Sequence, residues 1–138
     1  MEYRQLGRTD MKVSAISFGA WAIGGTWGPV RDEESMAALH AAVDAGVNFV
    51  DTADVYGNGH SEKLIAEVLE ERGKGDVIVA TKMGNDFYHA DESDDTGFGP
   101  IRANYDLKYL IWAAEQSLRT LNLETIDVMQ LHSPTTEL

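Results

Sequence analysis

Residues 47–82 have the sequence VNFVDTADVYGNGHSEKLIAEVLEERGKGDVIVATK, in which two short apolar runs flank a helical pattern. Each run contains β-branched residues and has the length of a buried strand. Between the runs, apolar residues recur at helical spacing, with Ser61 as the expected N-cap and Gly73 as the expected end of the helix. A strand, a helix and a second strand in this order predict two neighbouring parallel strands joined by a right-handed crossover.

The same alternation extends on both sides of this stretch. The other predicted elements are a hairpin in 3–13, a strand ending at Gly19, a helix over 35–46, a loop over 83–105, a helix over 107–121 capped by Asp106, and a strand over 126–132. Repeated strand–helix units indicate an α/β protein with a parallel sheet. That sheet is either open and doubly wound or part of a (β/α)₈ barrel.

Two observations favour the barrel. No G-x-G-x-x-G sequence follows the first core strand, where a dinucleotide-binding doubly wound sheet would carry it. Polar residues instead stand at the carboxyl ends of consecutive strands, which form the active face of a barrel. A complete barrel has eight strands and about 250 residues. We therefore predict a (β/α)₈ TIM-barrel type of fold, in which residues 1–138 form one partial domain with the hairpin and about the first four strands.

The composition of the chain argues against several classes of function. The chain has 138 residues, 43% of them hydrophobic, and a formal net charge of −12, which argues for a globular acidic protein that does not bind nucleic acid. Whether the acidity is ordinary or an adaptation to high salt stays open. There is no cysteine, the N-terminus is polar, and no apolar run has the length of a membrane span. We therefore expect a cytoplasmic protein without disulfides, signal peptide or membrane contact. The histidines lack metal-ligand spacing, so no metal site is predicted.

Four residues with complementary chemistry stand at or just after strand ends: Asp51, Tyr56, Lys82 and His132. Because side chains alternate along a strand, Asp51, Lys82 and His132 can all point inward at the top of a barrel, in a layer that is usually apolar. Each residue also has an ordinary alternative role: a capping aspartate, a tyrosine at the rim, a lysine that reaches solvent, or a buried structural histidine. Ionisable groups gathered in such a layer need one another or a ligand, so their joint occurrence favours a functional site.

A carboxylate, a phenol, an ammonium and an imidazole on one rim suit the reduction of a carbonyl group. Negative charge builds on the carbonyl oxygen as hydride adds, and a proton donor must lie within hydrogen-bond reach of that oxygen. Tyr56 would be the acid, Lys82 would strengthen it as an acid, and Asp51 would anchor Lys82. His132 would be a second donor to the same oxygen. No side chain supplies hydride, so this chemistry requires a nicotinamide cofactor.

The chain resembles the aldo-keto reductase family over essentially its whole length. The resemblance rests on YRQLGRTDMKVSAISFGAW near the N-terminus, on FVDTADVYGNGHSEKLIAEVL, on VIVATKMG and on SLRTLNLETIDVMQLHSP. Its most specific part is Asp51 followed by Tyr56 and Gly57 and then by Ser61 and Glu62. This resemblance implies a (β/α)₈ barrel, NADPH as the cofactor, and the four residues above as a catalytic tetrad.

Binding residues can be assigned at the same end of the predicted barrel. The resemblance implies that the cofactor is contacted near its nicotinamide ribose by Gly19, Ala20, Trp21 and Asp51. The expected substrate-pocket residues are Trp21, Trp27, Tyr56 and His132. The aromatic residues in the loops, with Phe87 and Tyr88 among them, could line this pocket or simply pack the loops together.

Two functions of different class are compatible with these patterns. The first is an oxidoreductase that reduces an aldehyde or ketone with NADPH. The second is a non-catalytic half-barrel that associates with another copy or with a complementing C-terminal half. The second hypothesis follows from the open edges that a four-stranded piece would expose at its first and fourth strands.

Overall fold

The computed structural model describes residues 1–25, 28–94 and 99–135. The strands are β1 (Tyr3–Gln5), β2 (Lys12–Ser14), β3 (Phe18–Gly19), β4 (Phe49–Asp51), β5 (Ile78–Met83), β6 (Asn85–Asp86), β7 (Arg102–Ala103) and β8 (Val128–Leu131). The α-helices are α1 (Asp32–Asp44), α2 (His60–Arg72) and α3 (Leu107–Thr120). Two single-turn 3₁₀ helices cover Ala22–Gly24 and Glu92–Asp94. No helix in these described ranges is long and apolar enough to cross a membrane.

The central sheet is parallel and contains β3, β4, β5 and β8 in that order. Its register aligns Gly19 with Asp51, Asp51 with Ala80, and Ala80 with Val128. The strand order follows the chain order without reversal, as in a barrel and unlike a doubly wound sheet, in which the order reverses at a switch point. The predicted N-terminal hairpin is confirmed, since β1 and β2 pair antiparallel.

One face of the sheet packs against the helices. Val50 in the middle of β4 and Val79 near the start of β5 are buried against Leu64 and Ile65 of α2 and Leu39 of α1. Each such side chain contributes about 1.5–3 kcal/mol when fully buried. Because neighbouring residues on a strand point to opposite faces, this packing directs Asp51 and Lys82 to the other face, where the candidate site lies.

The predicted helices are confirmed, and two of their ends follow the sequence signals. The Asp106 carboxylate caps α3 by accepting the N–H groups of Lys108 and Tyr109. Gly46 follows α1 with a φ of 90°, a left-handed conformation that favours glycine.

The expected capping role of Ser61 is wrong. Residue Gly59, with a φ of 90°, precedes α2, and no side chain caps the helix there. Ser61 lies inside the first turn and is fully buried, and its hydroxyl bonds to groups at the strand ends instead of capping the helix.

The expectation of an irregular loop over 83–105 is also incomplete. Within the described residues, β6 and β7 form a short antiparallel ladder that pairs Asn85 with Ala103 and Asp86 with Arg102. Two-residue strands are too short to show an alternating pattern in the sequence. The ladder places Asn85 beside the strand ends that carry the site.

Candidate active site

Three strand ends bring charged or titratable side chains together. Asp51 ends β4, Lys82 is the penultimate residue of β5, and His132 directly follows β8. The Lys82 Nζ donates to Asp51 Oδ2 at 2.8 Å and to Tyr56 Oη at 3.3 Å. The rings of Tyr56 and His132 lie with their centroids 5.7 Å apart. The four residues predicted from the sequence are therefore neighbours in the structure.

Lys82 is the centre of this group. An ammonium has three protons, and Lys82 has a third acceptor in the carbonyl oxygen of Thr52 at 2.8 Å. Its side chain is only 16% exposed, which limits competition from water. Because Tyr56 Oη accepts a hydrogen bond from the ammonium, the hydroxyl proton of Tyr56 can point to another acceptor.

Two glycines and an indole hold Tyr56. Gly24 approaches the Tyr56 turn so closely that a Cβ on Gly24 would lie 2.8 Å from the Tyr56 carbonyl carbon. Gly57 has a φ of 62°, and a Cβ there would lie 2.2 Å from the Gly24 carbonyl oxygen. The Trp21 ring stacks on Tyr56 with centroids 6.2 Å apart. The segment after β3 therefore fixes the position of the phenol.

The surroundings of His132 favour the neutral form of its imidazole. Its ring meets Tyr56 edge-on at 85°, and its buried Nδ1 has no hydrogen-bond partner among the described residues. Burial, and next the positive charge of Lys82, lower the pKa of His132 below its ordinary value, whereas Asp51 acts in the opposite direction. Since Nδ1 meets no acceptor, the proton of the neutral ring is better placed on Nε2, from which it can be donated to a ligand.

A cleft of about 480 Å³ opens beside these side chains. This volume is in the usual range for small-molecule sites, about 300–1,000 Å³. Its lining residues are Trp21, Gly24, Gly25, Val55, Tyr56, Gly57, Asn58, Asn85, Ile101 and His132.

Three of the four predicted pocket residues line this cleft. Trp21, Tyr56 and His132 line it, and Trp27 lies outside the described residues. Phe87 and Tyr88 are not among the lining residues. Their rings pack on each other at 3.8 Å, and Tyr88 also meets Trp112 edge-on at 4.8 Å, so these aromatic residues pack the loop.

The predicted cofactor-binding residues lie where β3 and β4 end. Ala20 is fully buried, and its peptide groups are occupied: the N–H donates to the Asp51 carbonyl, and the carbonyl accepts from Ser61 Oγ at 2.9 Å. Gly19 is paired with Asp51 in the sheet. Trp21 is 39% exposed, and the Asp51 side chain is 35% exposed. A ligand in the cleft can therefore contact Trp21, whereas Asp51 is not among the lining residues. Both the N–H and the carbonyl of the buried Ala20 are already hydrogen-bonded.

Sequence reasoning missed a buried polar layer behind the site. Its fully buried members are Thr52, Asp54, Ser61, Glu62 and Thr81. The Thr81 hydroxyl donates to Glu62 Oε1 at 2.7 Å. Neither carboxyl oxygen of Asp54 makes a hydrogen bond of good geometry among the described residues. Burial, followed by the charge of Glu62, raises the pKa of Asp54 to about 8, and the nearby Val55 N–H opposes this rise. The sequence did contain a signal for this layer. Strand alternation places Thr52 and Thr81 on the helix-facing side of the sheet, where buried polar groups need hydrogen-bond partners.

A comparison with protein families identifies the family to which this sequence belongs. The model of the Aldo/keto reductase family matches residues 15–138, which is most of the chain. This chain belongs to the aldo/keto reductase family.

Individual relatives of this aldo/keto reductase chain are longer than it is. A probable voltage-gated potassium channel subunit beta from Oryza sativa subsp. japonica is 36% identical over 137 residues, which are 97% of this chain and 38% of that protein. The aldo-keto reductase YhdN from Bacillus subtilis (strain 168) is 35% identical over 136 residues, again 97% of this chain and 38% of that protein. The chain therefore spans well under half the length of these curated relatives.

Solved aldo/keto reductase structures share the fold. The holo form of aldo-keto reductase AKR11C1 from Bacillus halodurans matches with a TM-score of 0.84 at 31% identity, over 99% of this chain and 42% of that one. The four parallel strands and their helices correspond to part of a (β/α)₈ barrel, which confirms the predicted fold class.

Proposed function

We propose that this chain carries the proton-donating site of an NADPH-dependent reductase that converts an aldehyde or ketone to an alcohol. The observation that carries the proposal is the hydrogen bond from Lys82 Nζ to Tyr56 Oη. The other two ammonium protons are held by Asp51 and by the Thr52 carbonyl. This geometry makes the phenol oxygen an acceptor for Lys82 and leaves its proton for a substrate oxygen.

In the proposed reaction the substrate oxygen lies between Tyr56 and His132 at the wall of the cleft. Tyr56 donates its proton to that oxygen as negative charge develops there, and Lys82 stabilises the phenolate that remains. Neutral His132 donates a hydrogen bond from Nε2 to the same oxygen and thereby orients the carbonyl. Asp51 balances the charge of Lys82 and keeps its ammonium in place.

A bound nicotinamide cofactor supplies the hydride. The accessible indole of Trp21 and the carboxylate of Asp51 fit the nicotinamide ribose, because a carboxylate accepts hydrogen bonds from ribose hydroxyls. The exposed backbone of Gly19 lies beside them. Contacts to the adenosine portion would come from the part of the longer relatives that this chain does not match. The choice of NADPH over NADH rests on the family resemblance.

The test is a Tyr56→Phe variant. We expect NADPH-dependent turnover of an aldehyde to fall by about 10²–10⁴, because the proton donor is lost, while the circular dichroism spectrum stays that of the wild type. A matched control is Tyr3→Phe, which removes the hydroxyl that donates to the Gly46 carbonyl away from the site. Equal turnover in Tyr56→Phe and wild type would contradict the proposed role.

The second candidate is the non-catalytic half-barrel that self-associates or takes up a complementing segment. It is favoured by the edge strand β8, which pairs with β5 alone in the described sheet and carries Leu131 at 40% exposure. The names of the relatives include both a reductase and a probable channel subunit. Membership of the family alone therefore does not decide between an enzyme and a non-catalytic protein. An NADPH titration followed by tryptophan fluorescence, with the mass in solution recorded, separates them. Absence of binding and turnover in an associated wild-type chain would favour the half-barrel.

A further inference from the structure

A single buried serine connects two of the strand ends beneath the site. Ser61, in the first turn of α2, is fully buried. Its Oγ donates to the carbonyl oxygen of Ala20 at 2.9 Å, and it lies 2.9 Å from Thr52 Oγ1. A hydroxyl has one proton, and the Ala20 carbonyl can only accept. The Thr52 hydroxyl must therefore be the donor to Ser61, which fixes the direction of the whole chain of hydrogen bonds.

This chain of hydrogen bonds ends at the ammonium of Lys82. The carbonyl oxygen of Thr52 accepts from Lys82 Nζ at 2.8 Å, and the Thr52 N–H donates to the Ala80 carbonyl at 2.8 Å. The side chain, the N–H and the carbonyl of Thr52 are thus each used once. If the side chain loses its acceptor, one of the three contacts that hold Thr52 is lost, and we expect the carbonyl that accepts from Lys82 to be less firmly fixed.

Glu62, the next residue of α2, bonds to the strand that carries Lys82. Glu62 Oε1 accepts from Thr81 Oγ1 at 2.7 Å, and both side chains are fully buried. Thr81 immediately precedes Lys82 in β5. Two adjacent side chains of α2 therefore bond to residues next to the lysine site: Ser61 to Thr52 at the end of β4, and Glu62 to Thr81 in β5.

We propose that Ser61 is a positioning residue that holds the Lys82 ammonium in register with Tyr56 and Asp51 by fixing the Thr52 carbonyl. Its consequence for catalysis rests on the proposed reductase function, whereas its effect on the ammonium does not. The Ser61 hydroxyl makes no hydrogen bond to Tyr56 or His132 in the described residues, so its action on the site is indirect. The backbone N–H of Ser61 does donate to the Tyr56 carbonyl at 3.1 Å, and a Ser61→Ala change keeps this group.

The direct test is the nitrogen-15 NMR signal of the lysine ammonium groups in the whole chain at low temperature, with Lys82→Met used for assignment. Three hydrogen bonds should make the Lys82 protons exchange slowly in the wild type. In Ser61→Ala we expect their exchange to become about tenfold faster, the effect of losing roughly one hydrogen bond. The ammonium of Lys74, which pairs with Asp127 at 2.9 Å, is the internal reference and should not change.

Two further variants sharpen the result. Ser35→Ala removes a buried serine of α1 that bonds to the Arg31 carbonyl of its own helix end, and it should leave the Lys82 signal unchanged. Thr52→Val removes the hydroxyl that donates to Ser61 and keeps the shape of the side chain. If Ser61→Ala does not fold, the exchange rate of the Lys82 protons in Thr52→Val tests the same link. Because both changes break one link, their effects on exchange should not add in the double variant.

Either of two spectra would overturn the proposal: wild-type Lys82 protons that exchange as fast as those of Lys74, or a folded Ser61→Ala or Thr52→Val variant with unchanged exchange at Lys82. If the wild type is a reductase, kcat should fall severalfold in Ser61→Ala with KM retained. If the wild type reduces no carbonyl, the proposed function fails while the ammonium spectra still decide the role of Ser61.

Discussion

Lys82 shows how much one residue can organise within a site. Its three protons are shared among a carboxylate, a main-chain carbonyl and a phenol, and its charge also acts on the imidazole of His132. The residue types alone predicted a lysine beside a tyrosine. They did not predict the Thr52 carbonyl as the third acceptor, because a main-chain acceptor is not specified by any side-chain motif.

A first prediction belongs to this residue scale and concerns His132. In Lys82→Met we expect the pKa of His132 to rise toward its ordinary value of 6.5, because the repulsion by the ammonium is removed. The rise should be partial, since burial is the larger cause of the lowered pKa and it remains. The measurement is an NMR titration of the imidazole carbon-bound protons.

The control for that titration is Lys74→Met, which removes an ammonium that is paired with Asp127 and lies away from the cleft. An unchanged His132 titration in both variants would show that the ammonium does not act on the imidazole. A downward movement in Lys82→Met would contradict the sign of the electrostatic effect.

At the scale of the elements, α3 depends on a single capping residue. Asp106 accepts from Lys108 N–H at 2.9 Å and from Tyr109 N–H at 3.4 Å, which satisfies two donors that the helix cannot. We expect Asp106→Ala to lower the free energy of unfolding by about 1 kcal/mol. Urea unfolding followed by circular dichroism measures this change.

Asp10→Ala is the matched control for the capping prediction, because Asp10 is exposed and lies in the turn between β1 and β2. Equal stability of Asp106→Ala and wild type would mean that water replaces the cap without cost. A similar loss in both aspartate variants would point to a general effect of charge.

Helices were easier to predict than the connections between them. The spacing of apolar residues in α1, α2 and α3 extends over three or more turns, so the helical period is visible in the sequence. The pairing of β6 with β7 and the role of Ser61 were not visible, because each involves a few residues whose partners are distant in the chain. Ser61, for example, lies 41 residues from Ala20.

At the scale of the whole molecule, the buried carboxyl of Asp54 couples folding to pH. Burial, then the charge of Glu62 and more weakly that of Asp86, raise the pKa of Asp54 from 3.8 to about 8, with the Val55 N–H acting against them. Between these pH values the folded chain binds a proton that the unfolded chain has lost. The free energy of unfolding should therefore fall as the pH rises through this range, by up to about 1.4 kcal/mol per pH unit.

The corresponding prediction is that Asp54→Asn flattens this dependence. Urea unfolding of wild type and variant at a series of pH values from about 5 to about 8 measures the two slopes. Some slope should persist in the variant, because burial also raises the pKa of Glu62. Asp10→Asn, which changes an exposed carboxyl, should keep the wild-type slope. A steeper slope in Asp54→Asn would contradict the assignment.

The sequence predicted the order of the helices and of the strands in the central sheet, and it predicted the barrel type of fold. It also predicted that Asp51, Tyr56, Lys82 and His132 form one group. Hydrophobic period and strand alternation are local properties, and the positions of strand ends follow from them. The tertiary structure alone decided which acceptors Lys82 uses, how Ser61 reaches Ala20 and Thr52, and why the pKa of Asp54 is raised. These features depend on distances of a few ångströms and on burial between residues far apart in the chain, and a linear pattern carries neither quantity.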